Sequence, residues 1–512
     1  MSRQKVLDFS SAAAVFDALR ADGRKIVQCH GTFDLLHPGH IYHLEEAKDL
    51  GDILVVTATS DKFVNKGPGR PYFNDAMRAK NLAALECVDY VVMIPFAAAV
   101  EAISCVKPNV YCKGREYENE ENDPTGNIAD DVKTVEVFGG QVRYIGTVVF
   151  SSSKLINRHF DAIPEAVKDF CHQLGSRCSP EQFRRAIDRF SSLKVLVIGD
   201  IIFDRYTYVK VQGLTSKNRI ISSRLIDEEV QPGGSLAVHR HISQFCDKVD
   251  LLGLLGADQW SALMVGTHLP AEQNLCVSDD AFKTIIKQRF VEPEIEGKEL
   301  LKLFSVNVIN ANPPDPSLTE KVLSQVGSVI ANYDLVVVAD FGHGVMMEPV
   351  RRFVEEKAPF MALNCQTNSN NHGFNIINRQ YRRADCFSLD EQELLLSRAR
   401  RHMDFLEEFQ TLKGELSARE AWLTRGAVET IGLKTGESPA LLIPMETRVL
   451  DTVGAGDAFF SVAALAACSG LSSEMSVFIG QLAGAQAVRI VGNRDPISKS
   501  RLLKSGMTLL NL

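Results

Sequence analysis

The chain has 512 residues and a formal net charge of −8, with 45% hydrophobic and 23% charged residues. That length exceeds one ordinary domain and predicts two or three, and the composition is that of a globular protein. The acidic balance argues against a general nucleic-acid or membrane-surface binder, so any phosphate site must be a local pocket rather than a basic face. The 11 cysteines are odd in number and contain no Cys-x-x-Cys pair. They read as reduced thiols of a cytoplasmic protein, not as a disulfide framework or a zinc site. No basic-then-apolar leader is visible, and the longest apolar run, around Ala458–Cys468, is too short to span a bilayer.

In chain order, Lys25–Gln28, Ile53–Thr57, Tyr90–Ile94, Val110–Lys113 and Val142–Ile145 read as short buried strands. Helical patterns lie between them at Pro38–Leu50, Asn74–Glu86 and Ala97–Cys105. This alternation predicts a parallel sheet with helices on both faces. Between the first strand and its helix stands His30-Gly31-Thr32-Phe33-Asp34-Leu35-Leu36-His37-Pro38-Gly39-His40. A strand, a glycine turn and a helix N-terminus together make a place where an anion can sit. His37 and His40 point the same way across the proline and glycine, and Gly39 allows a ligand close to the backbone. Two imidazoles and a helix N-terminus are donors suited to the charge that spreads over phosphoryl oxygens in a transition state. The acidic, turn-rich residues Glu116–Gly126 predict a mobile flap. Residues 161–192 are polar and helical in pattern, and read as a connector.

From Lys194 the pattern restarts. Val195–Asp200 reads as a buried first strand, Asp204 follows it, Gly233-Gly234 come after Glu229–Pro232, and Val249–Leu254 is another strand. Near the end, Asp451-Thr452-Val453-Gly454-Ala455-Gly456-Asp457 immediately precedes an apolar helical run. Gly454 and Gly456 let backbone N–H groups converge, and the helix adds its positive end, which makes an anion hole for a transferred phosphoryl group. Asp457 beside it can accept the proton of an attacking hydroxyl.

The first 160 residues resemble the nucleotidylyltransferases that carry a His-x-Gly-His signature, enzymes that join a phosphate or phosphorylated sugar to a nucleoside triphosphate and release pyrophosphate. The resemblance implies a Rossmann-like sheet in which His37, His40 and Lys48 are catalytic. It further implies nucleotide or phosphate contacts from Gly31, Thr32, Phe33, Asp34, Gly39, Arg78, Lys113 and the serines Ser151, Ser152 and Ser153. The histidine motif does not choose between ATP and CTP. Residues 193–512 resemble the ribokinase-like (PfkB) sugar kinases, which implies an α/β/α sandwich with a small β lid. Here the resemblance assigns sugar contacts to Asp200, Asp204, Gly233 and Gly234, with Lys287 and Arg289 on a lid strand. Thr424 and Gly426 stand at the turn before the nucleotide region, Gly454, Ala455 and Gly456 bind phosphate, and Asp457 is the base. Asp340-Phe341-Gly342-His343-Gly344 resembles a family loop near the substrate.

Three stretches depart from that family. Ser235-Leu236-Ala237 lacks the usual sugar-binding asparagine, Asn364-Cys365-Gln366 replaces Asp-Pro-Lys, and Leu389-Asp390-Glu391-Gln392-Glu393 replaces Pro-Asn-x-x-Glu. Asp390 and Glu393 thereby fall where the family holds Mg2+ and phosphate. The two halves together resemble the bifunctional ADP-heptose synthases with the domain order reversed: 1–160 transferase, 161–192 connector, 193–512 kinase. That resemblance implies ATP or CTP with Mg2+ and a sugar phosphate as the small-molecule partner; charge and apolar runs point to no nucleic acid and no membrane, and the ribokinase-like lid implies a homodimer. Two other readings are a cytidylyltransferase for a polyol or pentose phosphate, and a transferase controlled by a non-catalytic sugar-sensing half.

Overall fold

A computed structural model describes residues 5–64, 70–115, 127–146, 163–293 and 299–511. The chain forms two compact units, Met1–Pro164 with Leu503–Leu512, and Glu165–Leu502. The predicted flap at Glu116–Gly126 lies outside the described residues, and so does the serine stretch Ser151–Ser153.

The first unit is built on six strands: β1 (Val6–Leu7), β2 (Ile26–Gly31), β3 (Ile53–Thr59), β4 (Tyr90–Ile94), β5 (Val110–Gly114) and β6 (Gln141–Ile145). They form one sheet in the order β1-β4-β3-β2-β5-β6, with every pairing parallel. Ile26, Val27, Gln28 and Cys29 of β2 are all buried, as a central strand covered on both faces must be. The helices are α1 (Phe9–Ala21), α2 (Pro38–Lys48), α3 (Asp75–Ala83), α4 (Val100–Val106) and α5 (Asn127–Val137). Pro38 is set at the start of α2, where its missing N–H costs nothing, and Asn74 caps α3 by accepting from Met77 N. The strand–helix alternation is as the pattern predicts. The edge strand β1 and helix α1 are additions, since two residues of strand carry too little periodicity to be read. The chain runs from β2 toward β3 and β4, then crosses back to β5 on the other side of β2. The crevice beyond the carboxyl ends of β2 and β5 is therefore a topological switch point, the usual place for a ligand.

The second unit opens with two helices, Glu165–Arg177 and Pro180–Asp188, the latter started by a Ser179–Gln182 capping box. Its strands are β7 (Lys194–Gly199), β8 (Ile201–Leu214), β9 (Ile221–Gly233), β10 (Lys248–Leu252), β11 (Leu254–Gly256), β12 (Val277–Asp279) and β13 (Ile285–Val291). These are followed by β14 (Lys302–Val308), β15 (Leu335–Asp340), β16 (Met361–Cys365), β17 (Cys386–Asp390), β18 (Glu420–Thr424), β19 (Thr430–Lys434) and β20 (Ala440–Leu442). An eight-stranded sheet has the order β10-β7-β15-β16-β17-β18-β19-β20, parallel up to β18 and antiparallel beyond it. A four-stranded lid has the order β14-β13-β8-β9. The predicted strand Val249–Leu254 is broken at Gly253, because β11 leaves β10 to pair with β12 in a separate small sheet. The chain passes from β7 through the lid to β10 on one side, and later to β15 on the other, which makes a second switch point between β7 and β15. This is an α/β chain with an N-terminal parallel sheet and a C-terminal ribokinase-like fold.

All 11 cysteines are free thiols. Among the described residues no helix is long and apolar enough to cross a membrane.

Candidate active sites

At the end of β2 the chain turns sharply. Phe33 takes a left-handed backbone (φ 48°), rare for a bulky residue and sustained only where the surroundings over-determine it. Its ring lies edge-on to His40, with centroids 5.3 Å apart. The rings of His37 and His40 stack at 3.9 Å with 14° between their planes, so the two imidazoles share one direction as their spacing predicts. His37 is the N-cap of α2, and its Nδ1 accepts from His40 N at 3.3 Å. That bond places the proton of a neutral His37 on Nε2, which leaves Nε2–H as a donor. Beneath this turn His30 is held between Thr57 Oγ1 (3.0 Å) and Thr59 Oγ1 (3.3 Å). Burial, reinforced by the charges of Lys113 and Lys504, pushes its pKa down to about 3, so His30 is a neutral floor of the site.

Several residues expected to touch nucleotide are occupied otherwise. Both carboxylate oxygens of Asp34 accept from Tyr72 N, and one also from Phe73 N and the other from Arg70, so Asp34 is the anchor of the 70–73 segment. Arg78 is fully buried and bridges Asp61 and Asp75 (2.6 Å each) while donating to the carbonyl of Thr32, again 2.6 Å. It braces the turn from behind. Lys113 ends β5 beside the crevice and pairs with Asp131 at 2.9 Å. Lys48, expected among the catalytic groups, stands in the last turn of α2, at the opposite end from the histidines. It binds Asp52 O (2.6 Å) and Asp89 (2.5 Å). An 11-residue helix separates its ends by roughly 15 Å, which removes Lys48 from the group around His37. Gly31 approaches the Phe33 ring so closely that a Cβ would sit 3.2 Å from it.

The second unit holds a cavity of about 260 Å³ at its switch point. Lid residues Asp204 (β8), Lys287 and Arg289 (β13) line it together with Asp457, Gly454 and Gly456. Parallel pairing sets Lys287 beside Asp204 across β8 and β13. Arg289 is ion-paired to Asp204, and Lys287 lies 5.6 Å above the Phe341 ring. Gly454 takes φ 83° and caps the helix Ala455–Cys468; a Cβ there would lie 2.1 Å from Asn493 Oδ1, so only glycine fits. A Cβ on Gly233 would likewise meet Asp204 Oδ2 at 2.4 Å, whereas Gly234 lines the cavity itself. Burial, with the charge of Asp204 added, pushes Asp457 up to about 7, while Lys287 and a bond from Gln366 pull the other way. Burial lowers the pKa of Lys287, offset by Asp204, Asp457 and Asp200.

The structure redistributes the remaining expected residues. Asp200 is buried and accepts from Phe341 N (2.9 Å), His343 N (3.0 Å) and Val345 N (3.1 Å). It fixes the loop that brings Phe341 to the cavity and is not itself among the lining residues. Thr424 lines the cavity, but Gly426 and Ala455 do not. Asp390 and Glu393 do line it, yet they form a capping box: Asp390 accepts from Glu393 N (2.7 Å), and Glu393 accepts from Asp390 N and Thr367 N (2.9 Å each). Burial and the adjacent Asp390 push Glu393 up to about 8. Both oxygens of Glu393 accept backbone N–H groups and most of its charge is gone at neutrality, which makes it a poor magnesium ligand as it stands. Among the described residues no group of three or more His, Cys, Asp or Glu is placed to hold a metal. In this structure Asp390 and Glu393 serve as the capping box of the helix Glu391–Arg398.

Gln366, Thr367, Ser388 and Asn493 also line the cavity, and none was singled out as a site residue from sequence. Asn364-Cys365-Gln366 was marked only as a departure from a family pattern, and Asn493 has no local signal at all.

Residues 29–158 match the family model described as cytidylyltransferase-like, and residues 384–500 that of the pfkB family carbohydrate kinases. In its N-terminal part the chain is similar to the bifunctional protein HldE of Geobacter metallireducens, 40% identical over 146 residues, 28% of each chain. It is also similar to HldE of Pseudomonas savastanoi pv. phaseolicola, 38% identical over 157 residues, 30% of this chain and 32% of that one. The chain thus spans under a third of the length of these curated relatives. Among solved structures, phosphofructokinase-2 from Escherichia coli, in complex with substrates and products, has TM-score 0.49 and 14% identity, covering 60% of this chain and 97% of that one. Arabidopsis thaliana ribokinase, complexed with ribose and ATP, has TM-score 0.47 and 18% identity, covering 62% and 99%.

Proposed function

We propose that this chain, which carries a cytidylyltransferase-like domain followed by a PfkB carbohydrate-kinase domain, is a bifunctional enzyme that phosphorylates a sugar phosphate at C1 and converts the product to a nucleotide sugar. The observation that carries the reading is the placement of Asp457 beside the Gly454–Gly456 turn in the same cavity as Lys287 and Asp204. In the kinase half, the acceptor hydroxyl attacks the γ-phosphorus of ATP, the bond from that phosphorus to the bridging oxygen of ADP breaks, and the proton passes to Asp457. The turn and the helix behind it stabilise charge on the transferred group. In the transferase half the nucleophile is the sugar 1-phosphate, already an anion. It attacks the α-phosphorus of a nucleoside triphosphate and pyrophosphate leaves, while His37 Nε2, His40 and the start of α2 supply donors. Magnesium enters this reading as the counter-ion carried by the triphosphate.

Identity to HldE proteins in the N-terminal part, together with the kinase domain, supports a heptose phosphate and ATP as the first substrates to try. A homodimer through the lids is part of the proposal: Phe304, Val306 and Val308 alternate along β14 and are exposed, as is Leu225 of β9. Sedimentation velocity over a range of concentrations tests that point, and a strictly monomeric species removes it.

The test of function is to incubate the full chain with Mg·ATP, then Mg·CTP, and a panel of sugar phosphates including heptose 7-phosphate, following ADP and pyrophosphate separately. Release of both with a single sugar phosphate supports the bifunctional reading. Pyrophosphate alone, given a sugar 1-phosphate and no ADP from any acceptor, overturns the kinase half of it.

A further inference from the structure

The amide of Gln366 is the one side chain hydrogen-bonded to the carboxylate of Asp457 among the described residues. Its Nε2 donates to Asp457 Oδ1 at 3.0 Å. The backbone that carries it is held on both sides. Gln366 N donates to Asp340 O (2.8 Å) at the end of the neighbouring strand β15, and Gln366 O accepts from Asn375 Nδ2 (3.1 Å). The next residue, Thr367, is pinned through its N–H to Glu393 and through its hydroxyl to Asn375 O, 2.9 Å each. Asn375 Nδ2 also reaches Asp340 O at 3.3 Å. A side chain on so constrained a backbone approaches the carboxylate from a fixed direction.

We infer that Gln366 is a positioning residue for phosphoryl transfer: it occupies Oδ1 of Asp457 and so presents Oδ2 as the oxygen that takes the proton from the acceptor hydroxyl. The inference rests on the kinase reading above and deepens it. The choice of an amide has a physical consequence. Asp457 is faced by Lys287 of β13, by Asp204 of β8, and by Glu393 at the start of the helix Glu391–Arg398. One cation and two carboxyls already surround the base. A second cation at position 366 would hold the carboxylate in its charged form and weaken it as a proton acceptor, whereas a third carboxyl would keep it protonated. The neutral donor orients the base while leaving it near neutrality, where a general base works best.

The test uses the full chain with Gln366→Leu, Gln366→Lys and Gln366→Glu, the last being nearly the same shape as the original. The readout is the acid limb of kcat against pH, from ADP release with Mg·ATP and whichever sugar phosphate the native chain accepts. The Lys variant should move that limb to lower pH by about one unit or more, and the Glu variant to higher pH. The Leu variant, which removes the donor, should also move it upward and lower kcat about tenfold. KM for ATP should change less than the rate in all three. A role confined to packing would lower kcat or stability and leave the limb where it is; an unmoved limb in the Lys and Glu variants overturns the inference.

A second readout needs no substrate. Infrared difference spectra taken from below to above neutrality carry the protonated-carboxyl band of Asp457, identified by its loss in Asp457→Asn. Its midpoint should shift in the same directions in the three variants, and a midpoint common to all of them overturns the inference. A native chain that releases no ADP with any acceptor overturns the kinase reading, and the infrared midpoints still decide whether Gln366 governs the carboxyl.

Discussion

On the proposed function, the two units hold a phosphoryl group in different ways. In the first, the donors come from one stretch of sequence: a turn after β2 and the first residues of α2, from Phe33 to His40. In the second, the cavity is assembled from residues between Ile202 and Asn493, drawn from both the lid and the main sheet. Their electrical character differs as well. The first has a neutral histidine floor, and its nearby carboxylate, Asp34, is consumed by backbone donors. The second sets Asp457 against Lys287, and Asp204 against Arg289. The proposed chemistry accounts for the contrast. A phosphate nucleophile arrives already deprotonated and needs donors but no base, while a hydroxyl nucleophile needs a base as well.

The sharpest way to break this comparison is a pair of substitutions in the full chain. Asp457→Asn should lower ADP release by about 10²–10⁴-fold and leave pyrophosphate release from a supplied sugar 1-phosphate unchanged. His40→Ala should do the converse, with a loss of about 10²–10³-fold. Equal loss of both activities in either variant contradicts two separate sites. Next in size is Arg78→Met, which takes away a buried guanidinium bridging two carboxylates and the Thr32 carbonyl. Because Asp61 and Asp75 can rehydrate, the cost should fall toward the lower end of the roughly 3–5 kcal/mol typical of a broken buried pair. Calorimetry should show it as an earlier transition, accompanied by weaker pyrophosphate release because the Phe33 turn loses its brace.

Glu420→Gln sharpens the electrical side of the comparison, since this carboxyl is buried outside both sites. Burial pushes it up from 4.5 to about 7. A carboxyl with a raised folded-state pKa prefers to be protonated when folded, so native stability falls as pH rises from 4.5 toward 7. The glutamine variant should therefore melt higher than the native chain above about pH 7, and the gain should fade toward pH 4.5. A gain that is the same at every pH would refute the assignment. Smallest of all is Lys48→Met. Its ion pair with Asp89 is partly exposed, worth about 1 kcal/mol or less, and remote from the histidines. Pyrophosphate release should stay within about twofold of native, and a loss as large as that of His40→Ala would restore Lys48 to the catalytic group.

The same contrast explains what was legible beforehand. The stacked histidines, the glycine turn and the helix after Gly454 depend on neighbours a few residues away, so spacing carries them. The parallel pairing of the first sheet also follows from alternation of elements, whereas the strand orders and switch points come only from the fold. What spacing cannot carry is the partner of a charged group. Lys48, Arg78, Asp34 and Asp200 all look available in sequence, yet each is committed to a partner that only folding supplies. Gln366 is the reverse case. It looks like a lost family residue, and it is in fact the group that touches Asp457. Asp390 and Glu393 are ambiguous for a third reason: Asp followed three residues later by Glu is also the signature of a capping box, and the structure shows that local use.

Lys302 of the lid pairs at 2.6 Å with Asp451, which is wholly buried and also accepts from Tyr206 Oη and Gly492 N, 2.9 Å each. A second tie, Arg494 to Glu229, is much more open to solvent. Dissolved ions screen open pairs and barely reach buried ones. Ionic strength should then act unevenly on the kinase half: concentrated salt would loosen the outer tie and weaken the capture of anionic substrates, while the turn that cradles the phosphoryl group keeps its shape. Salt inhibition of ADP release should accordingly appear in KM and spare kcat.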